Sequence, residues 1–158
     1  PSMKEVDEIV KAGANIVAVD ATNRVNSYGR KAYELIPEIK EKYPDLLILA
    51  DIRNAEEARE ALKIGAHMVA PTLYRFNDNP KSTDSPDFEE LARIVEACEG
   101  LGFVIMEGKI TSPEEAIQSL YLGAHAVVIG SAITRPHLST LRFTSIMNKY
   151  KRKIPLKY

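Results

Sequence analysis

The sequence has a single cysteine, Cys98, which cannot form an internal disulfide, and this points to a reducing, cytoplasmic compartment. It has almost no net charge, with 21 Lys and Arg against 22 Asp and Glu. That balance excludes the basic footprint of nucleic-acid binding and any general attraction to an anionic membrane. No apolar run approaches the ~20 residues of a membrane-spanning helix. The first residues also lack the charged-then-apolar pattern of an export leader. No GxGxxG or Walker loop occurs, and the histidines lie far apart with no Cys/His cluster at metal-ligand spacing. Neither a metal nor a cofactor is expected.

What remains is ordinary globular composition, 45% hydrophobic and 27% charged over 158 residues, enough for one domain with a real core. The reading is a single domain over 1–158: a helix over 1–12, strands and helices over 13–150, and a solvated basic tail over 151–158. The chain opens Pro1-Ser2-Met3-Lys4-Glu5, with Ser2 and Glu5 at capping-box spacing. A chain that starts on a helix N-cap reads as cut from something longer, the other reading being an expression remnant before Met3.

Apolar runs and punctuation give the order of elements. Helix Met3 to Lys11 stops at Gly13, and strand Ile16 to Val19 runs into Asp20. A helix from about Gly29 to Lys42 ends before Pro44. Strand Leu46 to Ala50 ends at Asp51, and Asn54 with Glu57 caps the next helix. Strand Met68 to Ala70 precedes a polar loop from Tyr74 to Ser85, and Ser85-Pro86 starts a helix ending near Gly100. Strand Phe103 to Met106 runs into Glu107, Ser112-Pro113 starts a helix, strand Ala126 to Ile129 runs into Gly130, and a last helix covers Leu138 to Lys149. Near-continuous apolar strands predict a parallel sheet buried on both faces. The helix-to-strand joints Gly13-Ala14, Gly65-Ala66 and Gly123-Ala124 recur roughly two units apart, taking ~31 residues per unit in an eight-unit barrel. The fold class is α/β, as a five-stranded open sheet or as five units of a (β/α)8 barrel.

Both architectures put active groups at the carboxyl ends of strands. Asp20, Asp51, Thr72, Glu107 and Ser131 fall at that end. His67 and His125 fall at the other, where structural roles are expected. Glu107 follows an apolar strand, so desolvation raises its pKa towards that of a general base, or else it pairs with Lys109 or another cation. Gly130-Ser131 offers backbone N–H groups and a hydroxyl for an anion, to which Arg135 adds charge-assisted bonds; otherwise Gly130 simply makes a tight turn. Asp20 and Asp51 can each cap a following segment.

IVAVDAT from Ile16, ADI from Ala50, EGKI from Glu107 and GAHAVVIGSAITRP from Gly123 to Pro136 resemble the N-acetylmannosamine-6-phosphate 2-epimerases, in order and spacing, essentially from Ser2 to Met147. The resemblance implies a (β/α)8 TIM barrel, of which these would be the last five strand–helix units. It implies a cofactor-free isomerase of amino sugar and sialic acid catabolism, inverting C2 of an N-acetylhexosamine 6-phosphate. Glu107 matches the family's catalytic glutamate, Asp51 a sugar-contacting aspartate and Arg135 an arginine near the phosphate. Gly108, Gly130 and Ser131 match phosphate-loop positions. The family's catalytic lysine lies upstream of Pro1, and no lysine here takes its role, so these residues alone are expected to be inactive. Where the family has Ser-Gly-Tyr after Thr-Leu, this sequence has Tyr74-Arg75-Phe76. Unpaired outer strands predict a homodimer or higher assembly, or complementation by an N-terminal segment. The competing readings are a non-catalytic sugar-phosphate-binding or scaffold protein, and another phosphate-binding barrel isomerase or synthase.

Overall fold

The computed structural model of the protein describes residues 2–25, 29–73 and 85–150. Helix α1 (Met3–Lys11) starts on a complete capping box: Lys4 N–H donates to the Ser2 side chain, and Glu5 reaches back to the Ser2 N–H at 2.7 Å. Strands β1 (Ile16–Asp20), β2 (Leu47–Asp51), β3 (Met68–Ala70), β4 (Phe103–Glu107) and β5 (Ala126–Val128) follow, all paired in parallel. Between them lie α2 (Leu35–Lys42), α3 (Ala55–Lys63), α4 (Phe88–Cys98) and α5 (Pro113–Tyr121), with short α6 (Ser131–Thr134) and α7 (Pro136–Met147) after β5.

The sheet order is β1-β2-β3-β4-β5. A doubly wound sheet reverses its strand order at a switch point, and this one never does. Right-handed crossovers that always step the same way put every helix on one face. That single winding is how a barrel is built, and it decides against a doubly wound open sheet.

One expectation is corrected by this arrangement. In β1, β2 and β4 only one face is fully buried. Val17, Val19, Ile48, Ala50, Val69, Val104 and Met106 point under the helices and are essentially inaccessible, packed with Ile36, Ile39, Leu91 and Ile94. Burying one such branched side chain contributes roughly 1.5–3 kcal/mol. On the other face Ile16, Leu47 and Phe103 are 49%, 40% and 55% exposed. Apolar runs report hydrophobicity on both faces, but no element of the described chain covers the second.

Four boundaries also differ from the sequence reading. The helix expected from Gly29 begins at Ala32 as a 3-10 turn (Ala32–Glu34), because Lys31 bridges to Val25 and Ala32 N–H donates to the Arg24 carbonyl. The late start leaves Pro37 in the first turn of α2, where its missing N–H costs nothing. Helix α4 is capped by Asp87, which accepts from Glu90 N–H at 2.9 Å, so Ser85-Pro86 lies ahead of it. Strand β5 stops at Val128, and the final helix starts at Pro136. The Tyr74-Arg75-Phe76 substitution and the tail 151–158 lie outside the described residues.

Candidate active site

Parallel register aligns the strand ends. Asp20 lies opposite Asp51, and Asp51 opposite Ala70. Glu107 lies opposite Val128 on the other side. Side chains alternate along a strand, so Asp20, Asp51 and Glu107 share the open face with Ile16, Leu47 and Phe103. That face is apolar at the amino ends of its strands and acidic at their carboxyl ends.

The three carboxylates are in different states. Asp20 is tied down locally: Oδ1 accepts from Thr22 N–H at 2.8 Å, and Oδ2 from Arg24 Nη2 at 2.7 Å. This is the capping reading of Asp20, made visible. Among the described residues no cation pairs with Asp51 in this way. Burial pushes its carboxyl above the usual aspartate range, a Thr72 hydrogen-bond contribution opposes this, and the charge of Asp20 raises it further. Glu107 is likewise pushed up, first by burial and then by the charge of Asp51. Both half-buried carboxyls hold their protons more tightly than free ones, Asp51 through burial and Asp20, Glu107 through burial and Asp51.

Glu107 lines a cavity with Thr72, Glu90, Met106, Gly108 and Lys109. The turn that follows Glu107 is unusual. Gly108 has φ +118° and Lys109 φ +59°, and Lys109 is the one non-glycine residue with positive φ among the described residues. A left-handed lysine costs about 1–2 kcal/mol. The turn also carries Ile110 back into the core, 3% exposed, so the strain is set between two fixed points. Glu90 stiffens the cavity wall: it is 8% exposed, accepts from Ala55 N–H at the start of α3 and from Arg93 Nη1.

The other predicted site residues stand apart from this cavity. Gly130, Ser131 and Arg135 are exposed, at the end of β5 and along α6. The carbonyl of Gly130 accepts from Ile133 and Thr134 N–H, both at 3.0 Å, closing the single turn of α6. No atom comes within 4 Å of a Cβ placed on Gly130, so no packing in this structure demands glycine there. The structure therefore brings together Asp51, Glu107 and Gly108, and leaves the Gly130-Ser131-Arg135 group on the neighbouring strand end. The sequence placed Thr72 at the active end of the sheet without naming a partner for it, and did not anticipate the left-handed Lys109. Among the described residues no cluster of His, Cys, Asp and Glu is arranged to hold a metal ion, and no helix is long and apolar enough to cross a membrane.

Comparison with known proteins adds the following. Residues 1–149 match the family described as "Putative N-acetylmannosamine-6-phosphate epimerase". A relative from Caldanaerobacter subterraneus subsp. tengcongensis, named "Putative N-acetylmannosamine-6-phosphate 2-epimerase", is 42% identical over 149 residues, covering 94% of this chain and 62% of its own. The solved N-acetylmannosamine-6-phosphate 2-epimerase from Clostridium perfringens superposes with TM-score 0.81 at 42% identity, over 92% of this chain and 62% of that one. A mandelate oxidase superposes with TM-score 0.66 at 23% identity, over 88% of this chain and 46% of that one, which is a likeness of fold alone. The chain thus spans about three-fifths of the length of the epimerases it matches.

Proposed function

The chain belongs to the N-acetylmannosamine-6-phosphate epimerase family, and we propose that its five strand–helix units are the fourth to eighth of a (β/α)8 barrel that epimerises N-acetylmannosamine 6-phosphate to N-acetylglucosamine 6-phosphate. The observation that carries this reading is Glu107: a desolvated carboxylate at a strand end, its pKa raised by burial and by Asp51.

In this reading the ring-opened sugar phosphate lies across the carboxyl ends of β2 to β5. The Glu107 carboxylate takes the C2 proton, α to the C1 carbonyl, and the electron pair passes into the 2-acetamido enolate, with the charge on the C1 oxygen. A proton returned to C2 from the opposite face gives the epimer, so atoms and charge balance with no cofactor. A base with a raised pKa suits this step, because proton transfer is most efficient when donor and acceptor are matched near working pH. Asp51 binds sugar hydroxyls. Gly108, Gly130, Ser131 and Arg135 hold the phosphate through backbone N–H groups and the guanidinium. These roles rest on the motif resemblance in the sequence; the exposed Gly130 and Arg135 suit a phosphate seat at the rim.

No lysine of these 158 residues is assigned as the second proton donor, so the proposal has the chain alone binding the sugar phosphate weakly without turning it over. The open sheet face and the edges at β1 and β5 support assembly as a homodimer or with a complementing segment. A monodisperse monomer in light scattering would count against assembly. The site is proposed to work in the cytoplasm, without nucleic acid.

The decisive experiment is titration with N-acetylmannosamine 6-phosphate in D2O, following C2–H by proton NMR, on this chain and on a protein that supplies the upstream barrel units. Saturable binding by the chain, with C2 exchange in the larger protein, is the expected result. Binding without exchange in both favours a sugar-phosphate-binding or scaffold role. Absence of binding in both removes the reading and leaves another phosphate-binding barrel isomerase or synthase.

A further inference from the structure

The Thr72 hydroxyl oxygen is a buried side-chain polar atom with no hydrogen bond of sound geometry among the described residues. It stands two residues past Ala70, which pairs in register with Asp51. Thr72 also lines the cavity that holds Glu107. A hydroxyl cut off from water needs a protein partner, and leaving it unpaired is costly. Asp51 is close enough for the hydroxyl to favour its ionised form, in opposition to burial and to the charge of Asp20. Asp20 cannot take the hydroxyl's place, being an acceptor already engaged by Thr22 and Arg24.

We propose that Thr72 is a positioning residue for Asp51, its occluded hydroxyl turning to donate to the carboxylate and hold it aimed at the phosphosugar. The role of Asp51 towards sugar rests on the epimerase reading above; the Thr72–Asp51 bond does not. Because Oγ1 is shut off from solvent, a bound sugar does not reach it, and its effect passes through Asp51. The consequence extends one residue further. Burial first, and then an ionised Asp51, keep Glu107 above the ordinary glutamate range, so Thr72 acts on the second of these without touching substrate.

The test is a carboxyl carbon-13 NMR titration of the ligand-free chain, labelled at Asp and Glu, for the wild type, Thr72→Val and Thr72→Ser. A hydrogen bond to a charged acceptor is strong enough to move the Asp51 midpoint by about one pH unit, a tenfold change in proton affinity. Thr72→Val raises the Asp51 midpoint, and Thr72→Ser restores it. At a pH where Asp51 has become neutral in the Val variant only, Glu107 gives up its proton more readily in that variant. A folded Thr72→Val protein with an unmoved Asp51 midpoint overturns the proposal, as does a Thr72→Ser protein that titrates like Thr72→Val. Should Thr72→Val fail to fold, Thr72→Ala removes the same hydroxyl and carries the same expectation. Affinity for N-acetylmannosamine 6-phosphate, measured at pH 5 and pH 7, supplies the functional arm: the Val variant loses more at pH 5 than the wild type does. A wild type that does not bind the sugar phosphate sinks the epimerase reading and leaves the titration to judge Thr72.

Discussion

His67 and His125 do the same job two strand–helix units apart. His67 N–H donates to the Ile48 carbonyl at 2.9 Å while His67 Nδ1 accepts from Ile48 N–H at 3.0 Å. His125 N–H donates to the Val104 carbonyl at 2.8 Å, and its Nδ1 accepts from Val104 N–H at 3.1 Å. Each histidine closes both backbone groups of a residue in the preceding strand, at the amino end of the sheet, before its own strand begins. The imidazole stands in for a ladder bond that the sheet's start cannot supply.

This arrangement requires Nδ1 to be unprotonated. Burial first, and then Lys40, hold the His67 imidazole below its usual value. The folded chain thus binds fewer protons than the unfolded chain across that window. Stability is full above about pH 6.5, the unperturbed histidine value, and falls as pH drops towards the folded pKa. His67→Asn keeps an acceptor near the Nδ1 position and cannot titrate there. Urea melts at pH 7 and pH 5 should show a smaller loss for His67→Asn than for the wild type; equal losses would show that another group sets the slope.

Gly102 tests the packing between repeats. A Cβ on it would lie 2.5 Å from Leu62 Cδ2 and 2.8 Å from the His67 carbonyl oxygen. The leucine can turn, but the carbonyl is held by Phe103 N–H at 3.0 Å. Backbone must move, and overpacking of this kind costs about 1–3 kcal/mol. Gly102→Ala should therefore lower the thermal midpoint by several degrees, roughly 2–8 °C for a domain of this size range. A midpoint within a degree of the wild type would mean that the strand start is softer than the geometry implies.

Where the sequence was informative, it was so through strong local signals. Ser2, Asn54 and Ser112 stand as N-caps where capping patterns put them, and Asp51 and Glu107 end strands because each follows an apolar run. The structural role expected of His67 and His125 followed from their matched place in the repeat. What escaped depends on more than one element. The strand before Thr72 puts it at the active end, but its place beside Asp51 and Glu107 exists only once β2, β3 and β4 lie side by side. The start of the helix at Ala32 is set by a bridge from Val25, seven residues upstream. The open face of the sheet is invisible to hydrophobic periodicity, which cannot tell a covered side from an uncovered one. In Glu107-Gly108-Lys109 only the glycine advertises a left-handed conformation, yet the lysine adopts it too.

That lysine allows backbone strain to be separated from side-chain contacts. Lys109→Ala removes the side chain and keeps the penalty of φ +59°. Lys109→Gly removes both. The difference in unfolding free energy between the two variants should favour glycine by about 1 kcal/mol. Chemical denaturation of both proteins measures it directly. Equal stabilities would mean that residue 109 relaxes once its side chain is gone, so that Lys109 stores no strain at the site.

Glu107→Gln joins stability to function at the proposed base. Burial and the charge of Asp51 hold the Glu107 carboxyl above its usual range. The folded chain keeps this proton to higher pH than the unfolded chain, whose glutamates titrate near 4.3. The favourable contribution is complete below the unfolded value and is lost as pH rises through the folded pKa, because ionising Glu107 then works against burial and against Asp51. Glutamine resembles the protonated acid and never ionises. Glu107→Gln should therefore match the wild type most closely at pH 4 and gain on it at pH 7, in urea melts at the two values. In a protein with the complete barrel the same change should slow C2 exchange by roughly 10²–10⁴-fold, the usual contribution of a general base. Exchange at the wild-type rate would take Glu107 out of the proton transfer. A stability difference that does not change between pH 4 and pH 7 would show that its carboxylate is not desolvated at all. The two readouts are independent, so either can fail alone.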